Sequence, residues 1–549
     1  MKKRHKYIFV VGGVMSGVGK GITTASIGKI LMARGLSVNP VKIDPYLNVD
    51  AGTMNPIEHG EVFVLDSGLE CDQDMGNYER FLDITLPSLN YMTSGMVYRT
   101  VIARERALEY GGKCVEAVPH IPQEILKRLE ASVKKSKADV TTIEVGGTVG
   151  EYQNILFIEA ARILKLKNPG DVLFVMVSYL PVPSKLGEMK TKPTQYAIRT
   201  LNSYGVHPDI IVARSERPLD ARRKEKIAES ASINPDHIIS APDIDSIYDV
   251  PINFEKDGLS KTLLKLLSLK TKKDSDMRGW HDFVKRAHGV KKEVKIAVIG
   301  KYFKTGDFAL SDAYISVLES LKHAGAKVGV KVVADWLDSE PYEENPKNLK
   351  ELDNYAGILI PGGFGGRGIE GKISAIGYAR EHKIPYFGLC YGMQLAVIEY
   401  SRNVLGIKDA NTTEIDQKTK NPVVDIMPEQ ERNLKLGAYG GSMRLGAWPA
   451  VLLEGSRAKL AYGSSTISER HRHRYEINPS YVEALEKAGL VFSGMSPDKR
   501  LAEIIELPQK VHPFFLATQF HPEFKSSPLN PHPLFVEFIK AAANFKIAK

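Results

Sequence analysis

Short β-branched runs alternate with helical stretches along the chain, and this alternation limits the possible folds more than any single motif. Strand candidates are "YIFVV" (7–11), "SVNPVKI" (37–43), "DVTTIEV" (139–145), "DVLFVMVSYL" (171–180) and "PDIIVAR" (208–214). Amphipathic segments lie between several of them, such as "ITTASIGKILMARG", where Gly35 marks a helix stop. Strand and helix in turn predict an α/β fold, a mostly parallel sheet with helices on both faces. The pattern breaks at "SLKTKKDSDMRGWHDFVKRAHGVKKE" (268–293), a charged stretch read as a linker with a short helix around Trp280. It restarts with "VKIAVIGKY" (294–302), "DAYISVLESLKHAG" (312–325) and "KVGVKVVADWL". A chain of 549 residues is too long for one hydrophobic core. Two doubly wound α/β domains are therefore expected, 1–268 and 294–549, joined by a linker over 269–293.

Composition narrows the function classes. The chain is 43% apolar and 25% charged, as in a soluble globular protein. No apolar run approaches the ~18 residues that a membrane span requires. The opening "MKKRHKYIFVVGGV" is basic and then apolar, but its apolar run stops at glycines with no cleavage site, so it reads as a first strand rather than a signal peptide. Cys71, Cys114 and Cys390 are the only cysteines and form no C-x-x-C, which argues against a disulfide framework or a zinc site and fits a reducing cytosol. The net charge of +9 suits nucleic acid or anionic small molecules equally. No RNA-binding aromatic motif accompanies it.

The first strand runs into "VVGGVMSGVGKGITTAS" (10–26). Glycines let backbone N–H groups converge on an anion, the next helix adds its positive end, and Lys20 neutralises phosphate charge. The common phosphate-loop pattern needs glycine at 14 and a hydroxyl at 21, but the chain has Val14 and Gly21. Thr23 or Thr24 could supply the hydroxyl one turn later. Glu144 falls at the carboxyl end of a strand candidate, where open parallel sheets bind ligands and a carboxylate can hold magnesium on a triphosphate. Asp72 is either a second such carboxylate or a solvated loop acid. Lys190, Lys192 and Gln195 around a proline turn suit a triphosphate and a base, or else a solvated loop. Lys226 is one cation among several on a surface helix.

"IPYFGLCYGMQLAVIEY" (384–400) is more specific. Gly388 and Gly392 permit a sharp strand-to-helix elbow that exposes Cys390, and the helix start lowers the thiol's pKa. "FFLATQFHPEF" (514–524) supplies a base, His521, and an orienting acid, Glu523. "ILIPGGFGGRG" (358–368) ends a strand in glycines whose N–H groups can hold an oxyanion, Gly363 foremost. Together these make an acyl-transfer site for a small carbonyl substrate. "SERHRHRYEIN" (468–478) has two histidines at poor metal-ligand spacing and reads as a strand of alternating cations against an anion or an interface.

Over essentially its whole length the chain resembles the CTP synthase family. The likeness rests on "GGVMSGVGKG", "KIDPYLNVDAGTMNPIEHGEVFVLDSG", "EVGGTVGE", "MKTKPTQ", "NTTE" and "ERHRHRYE". The second half also resembles class I glutamine amidotransferases through "PGGFGGRG", "GLCYGMQ" and "QFHPEF". The resemblance implies an N-terminal phosphate-loop amidoligase domain and a C-terminal flavodoxin-like glutaminase domain. It implies ATP-dependent amination of UTP to CTP, with ammonia from L-glutamine passed internally between the domains. ATP is then expected at Ser16, Gly17, Val18, Gly19, Lys20, Gly21, Ile22, Asp72, Asp243 and Ile244, with Mg2+ on Asp72 and Glu144. UTP and inhibitory CTP are expected at Ser16, at Lys190, Thr191, Lys192, Pro193, Thr194 and Gln195, and at Lys226. Many relatives carry an acidic "DIE" that contacts CTP, where this chain has Glu151, Tyr152 and Gln153. Glutamine is expected at Gly363, Tyr391, Gly392, Met393, Gln394, Glu414 and Arg474, around the triad Cys390, His521 and Glu523. GTP activation, a homotetramer and a cytoplasmic location are implied as well, with no nucleic-acid or membrane partner. Two other readings stay open here: an amidoligase for a carboxylate cofactor precursor, and an ATPase switch or filament protein.

Overall fold

The computed structural model describes residues 4–185, 187–271, 274–300, 304–305, 308–309, 311–363, 366–427 and 443–545. The chain packs as two compact units. One comprises residues 1–50 and 77–284, the other 51–76 and 285–549. The linear division at 268 and 294 thus differs from the packing in two respects: the short segment 51–76 groups with the second unit, and the expected linker groups with the first as far as Val284. A helix does span Arg278–Gly289, around Trp280.

In the first unit seven strands form one sheet: β1 (Lys6–Gly13), β2 (Val38–Asp44), β3 (Tyr91–Thr93), β4 (Val140–Val145), β5 (Val172–Tyr179), β6 (Ile210–Ser215) and β7 (Ile238–Pro242). Their order is β3-β2-β4-β1-β5-β6-β7, and every pairing is parallel. Alternate residues of each strand serve opposite faces. Phe9, Val11, Ile143, Phe174 and Met176 join one buried cluster, and Ile8, Val10, Val140, Val175 and Val177 the other. Helices cover both clusters, which is why these strands are apolar throughout instead of alternating with polar residues. The helix after β1 spans Lys20–Ala33, and Gly35 takes φ +80° just beyond it, a left-handed turn suited to glycine. β3 and β7 had no sequence counterpart. Both lie at sheet edges, and β3 has three residues, too few for a periodic signal.

The second unit is built on nine strands: β8 (Glu293–Gly300), β9 (Lys331–Asp338), β10 (Gly357–Ile360), β11 (Tyr386–Leu389), β12 (Arg444–Leu452), β13 (Thr466–His473), β14 (Val491–Met495), β15 (Ala502–Glu506) and β16 (Phe515–Thr518). The order is β9-β8-β10-β11-β16-β15-β14-β12-β13. The part from β9 to β16 is parallel and the remainder antiparallel. Helices Ile369–Glu381 and Tyr391–Asn403 pack on one face, Ile315–Val328 and Pro533–Asn544 on the other. Residues 301–302 of one expected strand, and Phe364 and Gly365 of the glycine turn, lie outside the described residues.

The Trp280 helix is anchored in the first unit. Trp280 is 1% exposed, its indole N–H donates to the Tyr248 carbonyl at 2.8 Å, and Phe81, Tyr248 and Phe283 surround the ring. Truncating a buried tryptophan removes its transfer energy and leaves a cavity. Trp280→Ala is expected to cost about 3–5 kcal/mol of first-unit stability. Urea unfolding followed by first-unit probes checks this, and an unchanged midpoint would mean that the cluster does not anchor the helix.

Candidate active sites

In the second unit the elbow forms where the glycines predict it. β11 ends at Leu389, Cys390 takes φ +50° and ψ −97°, and the helix Tyr391–Asn403 starts at once. A Cβ at Gly388 would collide with the Tyr386 hydroxyl, and one at Gly392 with the Ile360 carbonyl, so neither position admits a side chain. The Cys390 N–H donates to the Thr518 carbonyl at 2.6 Å, which ties the elbow to the end of β16. Three residues beyond β16, the His521 Nδ1–H donates to Glu523 Oε1 at 2.7 Å. Phe524 stacks on the imidazole with centroids 5.2 Å apart, and the Gly362 backbone lies against its edge.

Charge follows from this packing. Burial pushes the Cys390 thiol up, but the nearby His521 and His473 imidazoles outweigh it and bring the pKa down to about 7. Burial also disfavours the His521 cation, yet Glu523 and the thiolate raise its pKa to about 10. Near neutral pH the thiol is thus poised to ionise beside an imidazolium. Gln519 also donates to the sulfur, at 3.7 Å. The sequence marks neither Gln519 nor His473 as a partner of the thiol: Gln519 sits in the "TQFHPEF" run beside the histidine, and His473 stands in the cationic strand as one of two histidines at poor metal-ligand spacing.

A cavity of about 70 Å³ adjoins the sulfur, lined by Gly362, Gly363, Cys390, Arg472 and His521 together with Glu61 and Val62 of the 51–76 segment. That segment is held by charge within the same unit. Arg470 donates to Asp66 at 2.5 Å, Arg472 to Glu70 at 2.8 Å, and the Ser316 N–H to Glu61 at 3.1 Å. The cations of "ERHRHRYE" thus meet carboxylates, as the strand reading anticipated. Of the expected glutamine contacts, Gly363 lines the cavity, and Glu414 and Arg474 share one electrostatic neighbourhood. Gln394 donates to the Tyr475 carbonyl at 2.8 Å. Tyr391 and Met393 point into the core, so they and Gly392 can meet a ligand only through backbone.

In the first unit the loop after β1 turns through positive φ at Val14, Gly17 and Gly19, and Gly19 caps the helix beginning at Lys20. Ser16 and Gly17 are exposed, whereas Val18 is buried. Lys20 is 8% exposed and folds back over the loop, so that a Cβ at Gly12 would come 3.0 Å from its Nζ. The two candidate hydroxyls separate: Thr24 donates to the Lys20 carbonyl at 2.9 Å, while Thr23 lines a cleft of about 310 Å³. Gly19, Ile22, Asp243 and Ile244 line that cleft too, next to Gly21 in the chain. Asp243 accepts from Arg214 at 2.8 Å.

Glu144 is 1% exposed near the end of β4, accepting from Lys42 at 2.8 Å and from the Tyr78 hydroxyl. Asp44 stands at the end of the neighbouring β2, 3.6 Å from Lys42. Two hard carboxylates on adjacent strand ends, part-neutralised by one lysine, fit the donor set that Mg2+ takes. Asp72 belongs to the second unit, where it is 8% exposed and accepts from the Asp74 N–H at 2.8 Å. It is a buried acid and not a solvated one. Lys190 pairs with Glu188 at 2.6 Å, and that bond, with Arg223 and Lys226 nearby, holds the Glu188 carboxyl below its usual range. Lys190 and Lys226 thus converge on one neighbourhood. Lys192 and Pro193 open the helix Lys192–Ser203, Thr194 bonds Ser178 at 2.9 Å, the Gln195 N–H donates to Thr191, and Lys192 is exposed. Glu151 accepts from the Thr148 N–H and from Gln153, both at 2.8 Å, which helps hold its carboxyl low against desolvation; Tyr152 is 94% exposed.

Comparison with known proteins joins the two sites. The family description "CTP synthase N-terminus" matches residues 6–269, and "Glutamine amidotransferase class-I" matches 309–541. CTP synthase of Pyrococcus furiosus is 50% identical over 546 residues, covering 99% of both chains. The enzyme of Caldanaerobacter subterraneus subsp. tengcongensis is 49% identical, again covering 99% of each, and that of Carboxydothermus hydrogenoformans is 51% identical, covering 98% of each. A solved glutaminase domain of Trypanosoma brucei CTPS with bound acivicin is 41% identical, covering 46% of this chain and 96% of that one, with a TM-score of 0.42. With half its residues identical along its full length, this chain belongs to the CTP synthase family.

Proposed function

We propose a division of labour between the two units for the reaction of this family, the ATP-dependent amination of UTP to CTP with nitrogen from glutamine. The observation that carries it is the buried His521–Glu523 pair at 2.7 Å beside a thiol whose pKa is brought down to about 7. The Cys390 thiolate attacks the glutamine carboxamide carbon, and the Gly363 N–H receives the oxyanion. His521 gives its proton to the leaving nitrogen, releasing ammonia and leaving a thioester. Neutral His521 then takes a proton from water, which attacks the thioester and releases glutamate. Glu523 keeps the imidazole oriented throughout. Arg474 pairs with the α-carboxylate and Glu414 with the α-ammonium, as their opposite charges suit. Gln394 and the backbone of Tyr391, Gly392 and Met393 complete that subsite.

In the first unit the cleft at Asp243 and Ile244 takes the adenine, and the Ser16–Ile22 loop with Lys20 takes the phosphates. The γ-phosphoryl group moves to the uracil 4-oxygen, which ammonia then displaces as phosphate, leaving CTP and ADP. Mg2+ held by Glu144 would neutralise triphosphate charge, Asp72 being the second carboxylate that the family resemblance implies. Lys190, Lys192 and Lys226 hold the triphosphate of UTP, with Thr191, Pro193, Thr194 and Gln195 shaping that segment. CTP competes there, and the Glu151–Tyr152–Gln153 turn meets it with one engaged acid and one exposed ring. GTP activation, a homotetramer and a cytoplasmic setting complete the reading on family grounds. Among the described residues no helix is long and apolar enough to cross a membrane. An amidoligase for a carboxylate precursor is not favoured, given full-length relatives that are CTP synthases.

Three outcomes test this reading. Cys390→Ala should lower glutamine-supported CTP formation by at least about 10³-fold while ammonia-supported formation persists. Loss of both in a folded protein would overturn the division of labour. Lys20→Ala should lower CTP formation from either nitrogen source by roughly 10²–10³-fold, with Cys390 still labelled by a glutamine analogue. Undiminished synthesis would remove Lys20 from the phosphate site. For glutamine hydrolysis, kcat/KM should rise with pH through about 7 as the thiol ionises, and fall through about 10 as His521 loses the proton it must donate. A profile without the acidic limb would contradict a thiolate nucleophile.

A further inference from the structure

The strand that carries the cationic run holds a buried group that the triad does not use. His473 ends β13 and is 2% exposed. Its Nε2 meets Glu476 Oε1 at 2.7 Å, its buried Nδ1 has no hydrogen-bond partner among the described residues, and the Cys390 sulfur lies 4.0 Å from the carbonyl of Arg472, the residue before it. Arg444 donates to Glu476 at 2.9 Å and to Glu503 at 2.7 Å, and Glu503 bonds His471 Nε2 at 2.7 Å. The sulfur is therefore flanked by two histidine–glutamate pairs, His521–Glu523 and His473–Glu476.

We propose that His473, held by Glu476, is a positioning residue that keeps the Cys390 sulfur as a thiolate through both halves of glutamine hydrolysis, leaving His521 to carry the protons. The proposal rests on Cys390 being the nucleophile. His521 lines the cavity beside the sulfur, and in the thioester it is neutral, having given its proton to ammonia. A cation on His473 is not consumed at that step, so it is still present when the sulfur leaves again as a thiolate. The groups facing His473 favour that cation on balance. Burial opposes it, but the Glu476 carboxylate and the thiolate raise its pKa to about 9. His471, the other titratable neighbour, is itself pushed down by burial, so it adds little like charge; Arg444 and Glu503 stand one partner further out.

The test is the pH dependence of Cys390 alkylation by iodoacetamide in the full chain without glutamine, with the labelled residue located by mass spectrometry. In the wild type alkylation rises through about 7. His473→Gln should move that rise upward by about one unit, a tenfold slower reaction on the acidic limb. Glu476→Gln keeps the imidazole and should give a smaller shift in the same direction, and it serves if the first variant does not fold. His521→Asn should keep part of the depression. Profiles of both His473→Gln and Glu476→Gln that superimpose on the wild type would overturn the proposal. Wild-type label found elsewhere than Cys390 would instead overturn the nucleophile assignment beneath it.

Discussion

The parallel pairing of β11 with β16 is the constraint on which the glutaminase site depends. Leu389 stands opposite Thr518 in that register, so the chain leaves both strands at the same end of the sheet. Cys390 follows one strand directly and His521 the other by three residues, and the Cys390 N–H to Thr518 bond fixes the remaining offset. A one-residue slip would turn every side chain of a strand to its other face. Here it would bury Phe515 where Leu516 now packs, since these belong to opposite cores. Hydrophobic burial on both faces thus sets the register that places the nucleophile, though no apolar residue takes part in the chemistry.

The same logic operates in the first unit with a different ligand. Val10 of β1 stands opposite Glu144 of β4, and Lys42 of β2 opposite Glu144 on its other side. The loop bearing Lys20 and the carboxylate Glu144 therefore emerge from neighbouring parallel strands at their carboxyl ends. Such ends collect helix N-termini and turns with unpaired N–H groups, which favours phosphate. The deviation from the common phosphate-loop pattern has a local explanation too. Gly19 takes φ +86°, Lys20 crosses Gly12, and Thr23, two residues past the usual hydroxyl position, already lines the cleft.

Most parallel strands of both sheets and the elbow were legible in the sequence because their causes are local, whereas the antiparallel strands β12, β14 and β15 had no sequence counterpart. Strand runs buried on two faces read as continuous apolar segments, and Gly388 and Gly392 declare a close approach whatever surrounds them. What escaped was set by distant partners. Asp72 reads as a loop acid, yet it is buried at the end of Glu70–Asp72, a strand of the segment that groups with the second unit. Strands β3 and β7 exist because an edge remains to be paired, not because three to five residues prefer extension. Gln519 stands in a motif recognised for its histidine, and its amide reaches the sulfur only once β16 is placed.

The alternating histidines of β13 show how far a period-two pattern can mislead. Alternation of cations with other polar residues predicts one face turned to an anion, and Arg470 and Arg472 do meet Asp66 and Glu70. The other face carries His471 and His473 inward, to two carboxylates that share Arg444. Burying so many charges is unfavourable unless each is paired, and apolar replacements of similar volume are often no less stable. A network of this cost beside a thiol is more readily understood through the sulfur's charge than through the sheet's stability. The thiol pKa is where the two accounts differ, because packing alone would raise it and the structure instead brings it down.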